Sequence, residues 1–140
     1  MKILVDTSVW SLMLGRDPAS LNQIESGIVR ELKDVVNDGR AQIIGPIREE
    51  LLSGIKAEQQ FDALQQKLGV FDDHVLTTRD YENAARAATL CTRAGVAATS
   101  VDVLICAVAL DRQWPVFTVD EDFSRFQKVL KFQLYRHLTN

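Results

Sequence analysis

Four acids stand where apolar runs end or helical segments begin: Asp6, Glu50, Asp102 and Asp120. Asp6 closes the run Ile3 to Val5, and Asp120 follows Val116, Phe117 and Thr118 closely. Asp102 is the one charged residue in the stretch Val101 to Leu110, and Glu50 lies just after Gly45 and Pro46. Carboxylates brought together do not tolerate one another: two of them ~4 Å apart repel by about 4 kcal/mol at an effective dielectric near 20. A shared cation removes that cost. All-oxygen donors select a hard octahedral ion that keeps several waters, so Mg²⁺ or Mn²⁺ is the expected partner. Such an ion generates hydroxide from bound water and steadies charge on a phosphodiester, which makes phosphate-ester hydrolysis the reaction class.

Each acid also has a plainer role. Asp6 suits a helix cap or turn, and Asp102 an N-terminal helix residue favoured by the macrodipole. An acid in an apolar helix is, however, hard to bury unpaired. Glu50 competes with its neighbour Glu49. Gly54, four residues on, is expected on the same helical face, leaving room beside the Glu50 carboxylate. Asp120 is expected to touch the metal directly, with Asp122 acting through water or as support, and Asp72 and Asp73 read as a turn. His74 and His137 are isolated and receive no ligand role, and Cys91 and Cys106 sit in apolar segments as buried thiols.

The elements that must position these acids alternate. Ile3 to Val5 is an unbroken apolar strand, suited to a parallel sheet covered on both faces. Thr7 or Ser8 is expected to cap the helix Val9 to Leu14, which Gly15 ends. Residues 19–37 carry apolar positions at Leu21, Ile24, Ile28, Leu32, Val35 and Val36, an amphipathic helical period. Ala41 to Ile44 is a second strand, Pro46 starts helix 46–54, and another helix follows over 56–68. A third strand is expected at Gly69 to Phe71. Thr77 and Asp80 form a capping box for a helix reaching Ala94, with Gly95 as its stop and Tyr81, Ala84, Ala85, Ala88 and Cys91 as a close-packing face. Ser100 is expected to cap the buried helix from Val101. Val116 to Thr118 is a fourth strand, and a final one lies near Leu130 to Leu134.

Short strands alternating with longer helices imply βαβ units: an α/β protein, a three-layer α/β/α sandwich around a mostly parallel sheet of four to five strands. In that topology strand ends and helix starts share one edge of the sheet, so Asp6, Glu50, Asp102 and Asp120 can meet there. At 140 residues the chain is expected to form a single domain, 1–140. With 46% hydrophobic and 25% charged residues, and no run long enough to span a bilayer, it reads as a soluble globular protein with no membrane segment. No leader pattern precedes the first strand, so the cytoplasm is the expected location. A net charge of −3 argues against nucleic-acid binding by bulk electrostatics alone but is compatible with an acidic, metal-dependent nuclease.

The pattern resembles a known family over nearly the whole chain. Asp6-Thr7-Ser8; Glu50 and Leu51 with Gly54; Ser100, Asp102, Leu104, Ile105 and Ala107; and Thr118, Asp120, Asp122 and Phe123 are similar to the four blocks of the PIN-domain ribonucleases. In length and order they most resemble the VapC toxins of bacterial type II toxin–antitoxin pairs. The resemblance implies a PIN-like fold, usually a homodimer, acting as an endoribonuclease with Mg²⁺ or Mn²⁺ on RNA such as structured tRNA. It also implies a cognate VapB-type antitoxin that blocks the acidic site in a toxin–antitoxin hetero-oligomer. Carried over by position, Asp6, Glu50, Asp102 and Asp120 are the catalytic acids, Asp6, Asp102 and Asp120 the metal ligands, and Thr7, Thr118 and Asp122 the supporting residues. The doubled acid at Glu49 and Glu50 departs from the family pattern.

Arg48, Lys56, Arg79, Arg86 and Arg112 are candidates to steer RNA, against the plainer reading of each as helix-surface charge. Two other classes compete with hydrolysis: a PIN-like module that binds RNA or a partner without turnover, and a receiver-type phosphoryl-transfer domain. The latter calls for a lysine near the acids late in the chain, and the exit of the fourth strand has none.

Overall fold

The computed structural model describes residues 1–136; His137 lies outside the described residues. Three parallel strands form the sheet, β1 (Ile3–Val5), β2 (Ala41–Gln42) and β3 (Val116–Phe117), in the order β2-β1-β3. Ile3 and Leu4 pair with Ala41 and Gln42, while Leu4 and Val5 pair with Val116 and Phe117. Single parallel bridges extend both edges, Ile43 with Asp73 and Val116 with Leu134. Five chain segments therefore lie side by side, although only three are regular strands among the described residues.

The outer segments differ from the sequence expectation. Gly69 to Phe71 does not form a strand; pairing falls at Asp73, where His74 N–H donates to the Ile43 carbonyl at 2.8 Å. The pair Asp72 and Asp73, expected as a plain turn, thus supplies the edge. Leu130 ends a helix, and only the stretch around Leu134 pairs, held by Val116 N–H on the Gln133 carbonyl and Tyr135 N–H on the Val116 carbonyl.

β1 is the centre of the core. Its three residues are at most 1% exposed, and because successive side chains point to opposite faces, both faces must be covered. The helices α1 (Thr7–Leu14), α2 (Gln23–Asn37), α3 (Gly45–Leu52) and α4 (Glu58–Leu68) pack as one chain of neighbours. The helices α5 (Thr78–Arg93), α6 (Ser100–Arg112) and α7 (Asp122–Leu130) pack as a second group. This is the expected α/β sandwich. No helix among the described residues is long and apolar enough to cross a membrane.

Local rules explain most helix boundaries. A 3-10 turn, Pro18–Ser20, precedes α2, which starts later than expected because Asn22 caps it and Glu25 returns the bond in a capping box. Ile24, expected on its apolar face, is 58% exposed in the first turn. Thr77 and Asp80 make the expected box on α5. The inward face of α5 is Asp80, Ala84, Ala87 and Cys91, with Tyr81 and Ala85 outside. The cap of α6 is Thr99 rather than Ser100, with Asp102 as its reciprocal partner. Val103 to Ala109 are all buried, as a helix apolar on every side requires.

Candidate active site

The carboxyl edge of β1 is built by Asp6 itself. Asp6 N–H continues the ladder to the Phe117 carbonyl at 2.9 Å, and Asp6 then becomes the cap of α1, a role expected for Thr7 or Ser8. Its Oδ2 accepts from Ser8 N–H at 3.3 Å, Ser8 Oγ at 2.7 Å and Thr118 Oγ1 at 2.8 Å. The side chain is only 5% exposed. Burial raises its pKa above the ordinary carboxylate value, opposed by the bonds from Ser8 and Thr118. No Lys or Arg forms an ion pair with it among the described residues.

Two threonines tie neighbouring acids to this centre. Thr7 Oγ1 donates to Glu50 Oε1 across from α3. Glu49 and Glu50 are both exposed, and among the described residues Glu50 is the member of the doubled acid bonded to α1. On the other side Thr118 accepts from Asp120 N–H at 3.0 Å while donating to Asp6, so one hydroxyl couples the ends of β1 and β3. Asp120 Oδ1 accepts from Asp122 N–H at 2.9 Å and opens α7. The Asp122 carboxylate pairs with Arg125 on its own helix.

Ser8, expected as a cap and as part of the first family block but given no role in the site, proves to be a hub. Besides bonding Asp6, its Oγ accepts from Val119 N–H at 3.1 Å and lies 3.3 Å from Thr118 Oγ1. The spacing of Asp and Ser two apart was the available signal, since an Asp cap reaches the N–H two residues on. Its reach across to β3 has no local signature.

Asp102 stands apart from this network. Its Oδ2 accepts from Thr99 N–H at 3.0 Å, and Thr99 Oγ1 accepts from Asp102 N–H at 3.2 Å, so the plainer helix-start role is fulfilled. The Cys106 thiol is pushed up by burial first, then by the charges of Asp102, Cys91 and Asp6.

Among the described residues no group of three or more His, Cys, Asp or Glu side chains is gathered closely enough to hold a metal. The donor chemistry still fits a hard cation. Asp6 is buried without a basic partner, and its side-chain bonds fall on Oδ2, leaving Oδ1 for an ion. Magnesium is commonly held through one or two carboxylates plus retained waters rather than by a closed protein cage.

Two of the proposed steering cations are committed elsewhere. Arg48 Nε pairs with Asp73 at 2.9 Å, and its other nitrogens donate to the Leu68 and Phe71 carbonyls. Arg112 forks onto the buried Asp80 and also meets Asp111 and His74. Both are structural ties. Lys56, Arg79 and Arg86 are exposed.

No curated protein matches the chain. Among solved structures, FitAcB from Neisseria gonorrhoeae matches with a TM-score of 0.73 and 17% identity, over 96% of this chain and 96% of that one. VapBC2 from Rickettsia felis, bound to a DNA fragment from their promoter, matches with a TM-score of 0.70 and 15% identity, over 96% and 98%. At such identities these likenesses speak to the fold. The family model of the PIN domain matches residues 3–129, nearly the whole chain, and the chain therefore belongs to the PIN domain family.

Proposed function

We propose that this chain is a metal-dependent endoribonuclease, the toxin of a toxin–antitoxin pair, cutting RNA in the cytoplasm and held in check by a VapB-type antitoxin. The observation that carries this reading is Asp6, a buried carboxylate at the end of the central strand with no basic partner and three hydrogen bonds aimed at one oxygen. The chain's membership of the PIN domain family supports a nuclease, and the bonds from Thr7 to Glu50 and from Thr118 to Asp6 support a shared acidic edge. The likeness to VapBC2 and FitAcB supports an antitoxin partner, and a homodimer is part of the proposed assembly.

In the mechanism, Asp6 would hold Mg²⁺ or Mn²⁺, with Asp102 and Asp120 completing the acidic edge. An ion held there would make water a better nucleophile and would neutralise charge on the phosphoryl oxygens. Thr118 fixes the Asp6 carboxylate and, through Asp120 N–H, the loop carrying the next acid. Glu50, which accepts from Thr7, would complete the site and orient the attacking water. Asp122 shapes the start of α7. Calorimetric titration with Mn²⁺ checks this: the wild type is expected to bind, and Asp6→Asn to lose that binding while keeping its far-UV circular dichroism. Unchanged Mn²⁺ affinity in Asp6→Asn would contradict the assignment.

A second reading is a PIN module that grips RNA or a partner without turnover. Binding of RNA with no cleavage at any Mn²⁺ concentration would select it.

A further inference from the structure

A cleft of about 820 Å³ opens beside the acidic edge, within the roughly 300–1,000 Å³ typical of small-ligand sites. It is continuous with the proposed site, because Thr118 and Asp120 line both. One wall is apolar: Tyr135, whose ring also packs on Phe117 at 4.8 Å, and the exposed Ile24 of α2. The other wall is the first turns of α7, with Glu121, Ser124 and Gln127.

The charge of the cleft decides what it can hold. Asp120 and Glu121 line it against a single cation, Arg136, so a phosphate entering would meet a net like charge. A neutral, flat group would not. Apart from Arg136, whose guanidinium only donates, the polar wall along α7 is biased towards accepting hydrogen bonds. Gln127 Nε2 is spent on the Phe132 carbonyl at 3.2 Å, which leaves its Oε1 as the free end, and Glu121 can only accept when ionised. Ser124 can do either. A flat ring that stacks on an aromatic face and presents several N–H donors is a nucleobase, and guanine alone offers two adjacent donors, N1–H and the N2 amino group, to a single carboxylate. Unpaired bases splayed from RNA are read in this way, by stacking and by hydrogen bonds to their edges.

We propose that this cleft is a base-specificity pocket that receives an unpaired guanine next to the scissile phosphate, with Glu121 reading its N1–H and N2 edge. This rests on the ribonuclease reading of the adjoining site. The sugar–phosphate chain would then leave the cleft past Thr118, carrying the neighbouring phosphate to the acids rather than into the pocket.

Two readouts keep the two readings separable. The first is binding of short oligoribonucleotides of each base to the metal-free full chain, followed by amide chemical shifts. Shifts centred on Glu121, Ser124 and Gln127, strongest for oligoguanylate-containing sequences and weakened roughly tenfold in affinity by Glu121→Gln, are expected from one bidentate pair. The second is the base preference at Mn²⁺-dependent cut sites in a randomised RNA. Wild-type cuts beside guanine that lose this preference in Glu121→Gln, with the total cutting retained, would support the pocket. Cutting with the same base preference in both proteins would overturn the pocket and leave the nuclease standing. Base-selective shifts without any cutting would support the pocket while the nuclease reading falls. Neither binding at these residues nor cutting would overturn both.

Discussion

Asp6 is under tension between burial and hydrogen bonding. Burial pushes its pKa up, and the Ser8 and Thr118 donors pull it back only in part. A raised folded-state pKa means the folded protein holds the proton more tightly than the unfolded chain. That contribution to stability is complete below the ordinary value of 3.8 and is lost as pH rises through the folded pKa. At neutral pH the ionised group is therefore a liability unless a cation joins it. Asp6→Asn, which keeps an acceptor for Thr118, is expected to melt higher than the metal-free wild type at pH 7, with the gap closing towards pH 4. Adding Mn²⁺ should raise the wild type and leave the variant unmoved. Thermal melts over pH with and without the ion make the comparison, and a variant less stable at pH 7 would show that the carboxylate serves the fold rather than a ligand. The candidate acids were legible because each sits beside an apolar run or a capping signal. The bonds that join them were not: Thr7 to Glu50 spans 43 positions and Thr118 to Asp6 spans 112, and no local pattern encodes such reach.

Among the elements, α5 and α6 pack most closely, and their far ends are locked by charge. Asp80, 2% exposed at the start of α5, accepts a forked pair of bonds from Arg112 at the end of α6. The Arg112 guanidinium, and then the Thr77 N–H, hold the Asp80 carboxyl down at about 2 against the opposing effect of burial. A depressed pKa contributes stability above the unfolded value of 3.8 and loses it as pH falls through about 2. The loss is expected to reach about 2 kcal/mol over that window. Arg112→Ala should cost about 3 kcal/mol at pH 7 by stranding a buried charge, and urea melts at several pH values check both. Equal stability of variant and wild type at pH 7 would remove the lock. The capping box at Thr77 and Asp80 was visible in sequence; its capture of Arg112, expected among the RNA-steering cations, was not, because the two lie 32 positions apart.

Gly54 teaches the opposite lesson about an element boundary. The sequence suggested a bare spot on a helix beside Glu50, but α3 stops at Leu52 and Gly54 lies beyond it with φ +86. A Cβ there would meet nothing within 4 Å, so the glycine serves the left-handed turn and not a close approach. Gly54→Ala is expected to cost about 1 kcal/mol in chemical melts with Mn²⁺ affinity unchanged. A selective loss of Mn²⁺ affinity at full stability would restore the original idea.

Over the whole molecule, the central strand and the alternation of elements were readable from apolar runs and helical periods, which are local properties. The sheet edges were misplaced because single-residue bridges at Asp73 and Leu134 need no apolar strand of their own. The same topology that hid those edges explains the site. Parallel order β2-β1-β3 brings the ends of β1 and β3 side by side, and Asp6 and Asp120 leave the sheet at one rim with Thr118 between them. The function proposed for that rim is tested most directly by incubating the purified chain with a mixed cellular RNA pool, with and without Mn²⁺, beside Asp102→Asn. Mn²⁺-dependent cuts by the wild type that fall at least a hundredfold in the variant are the predicted result, consistent with the loss of one transition-state contact. Equal cutting by both proteins, or cutting indifferent to Mn²⁺, would contradict it.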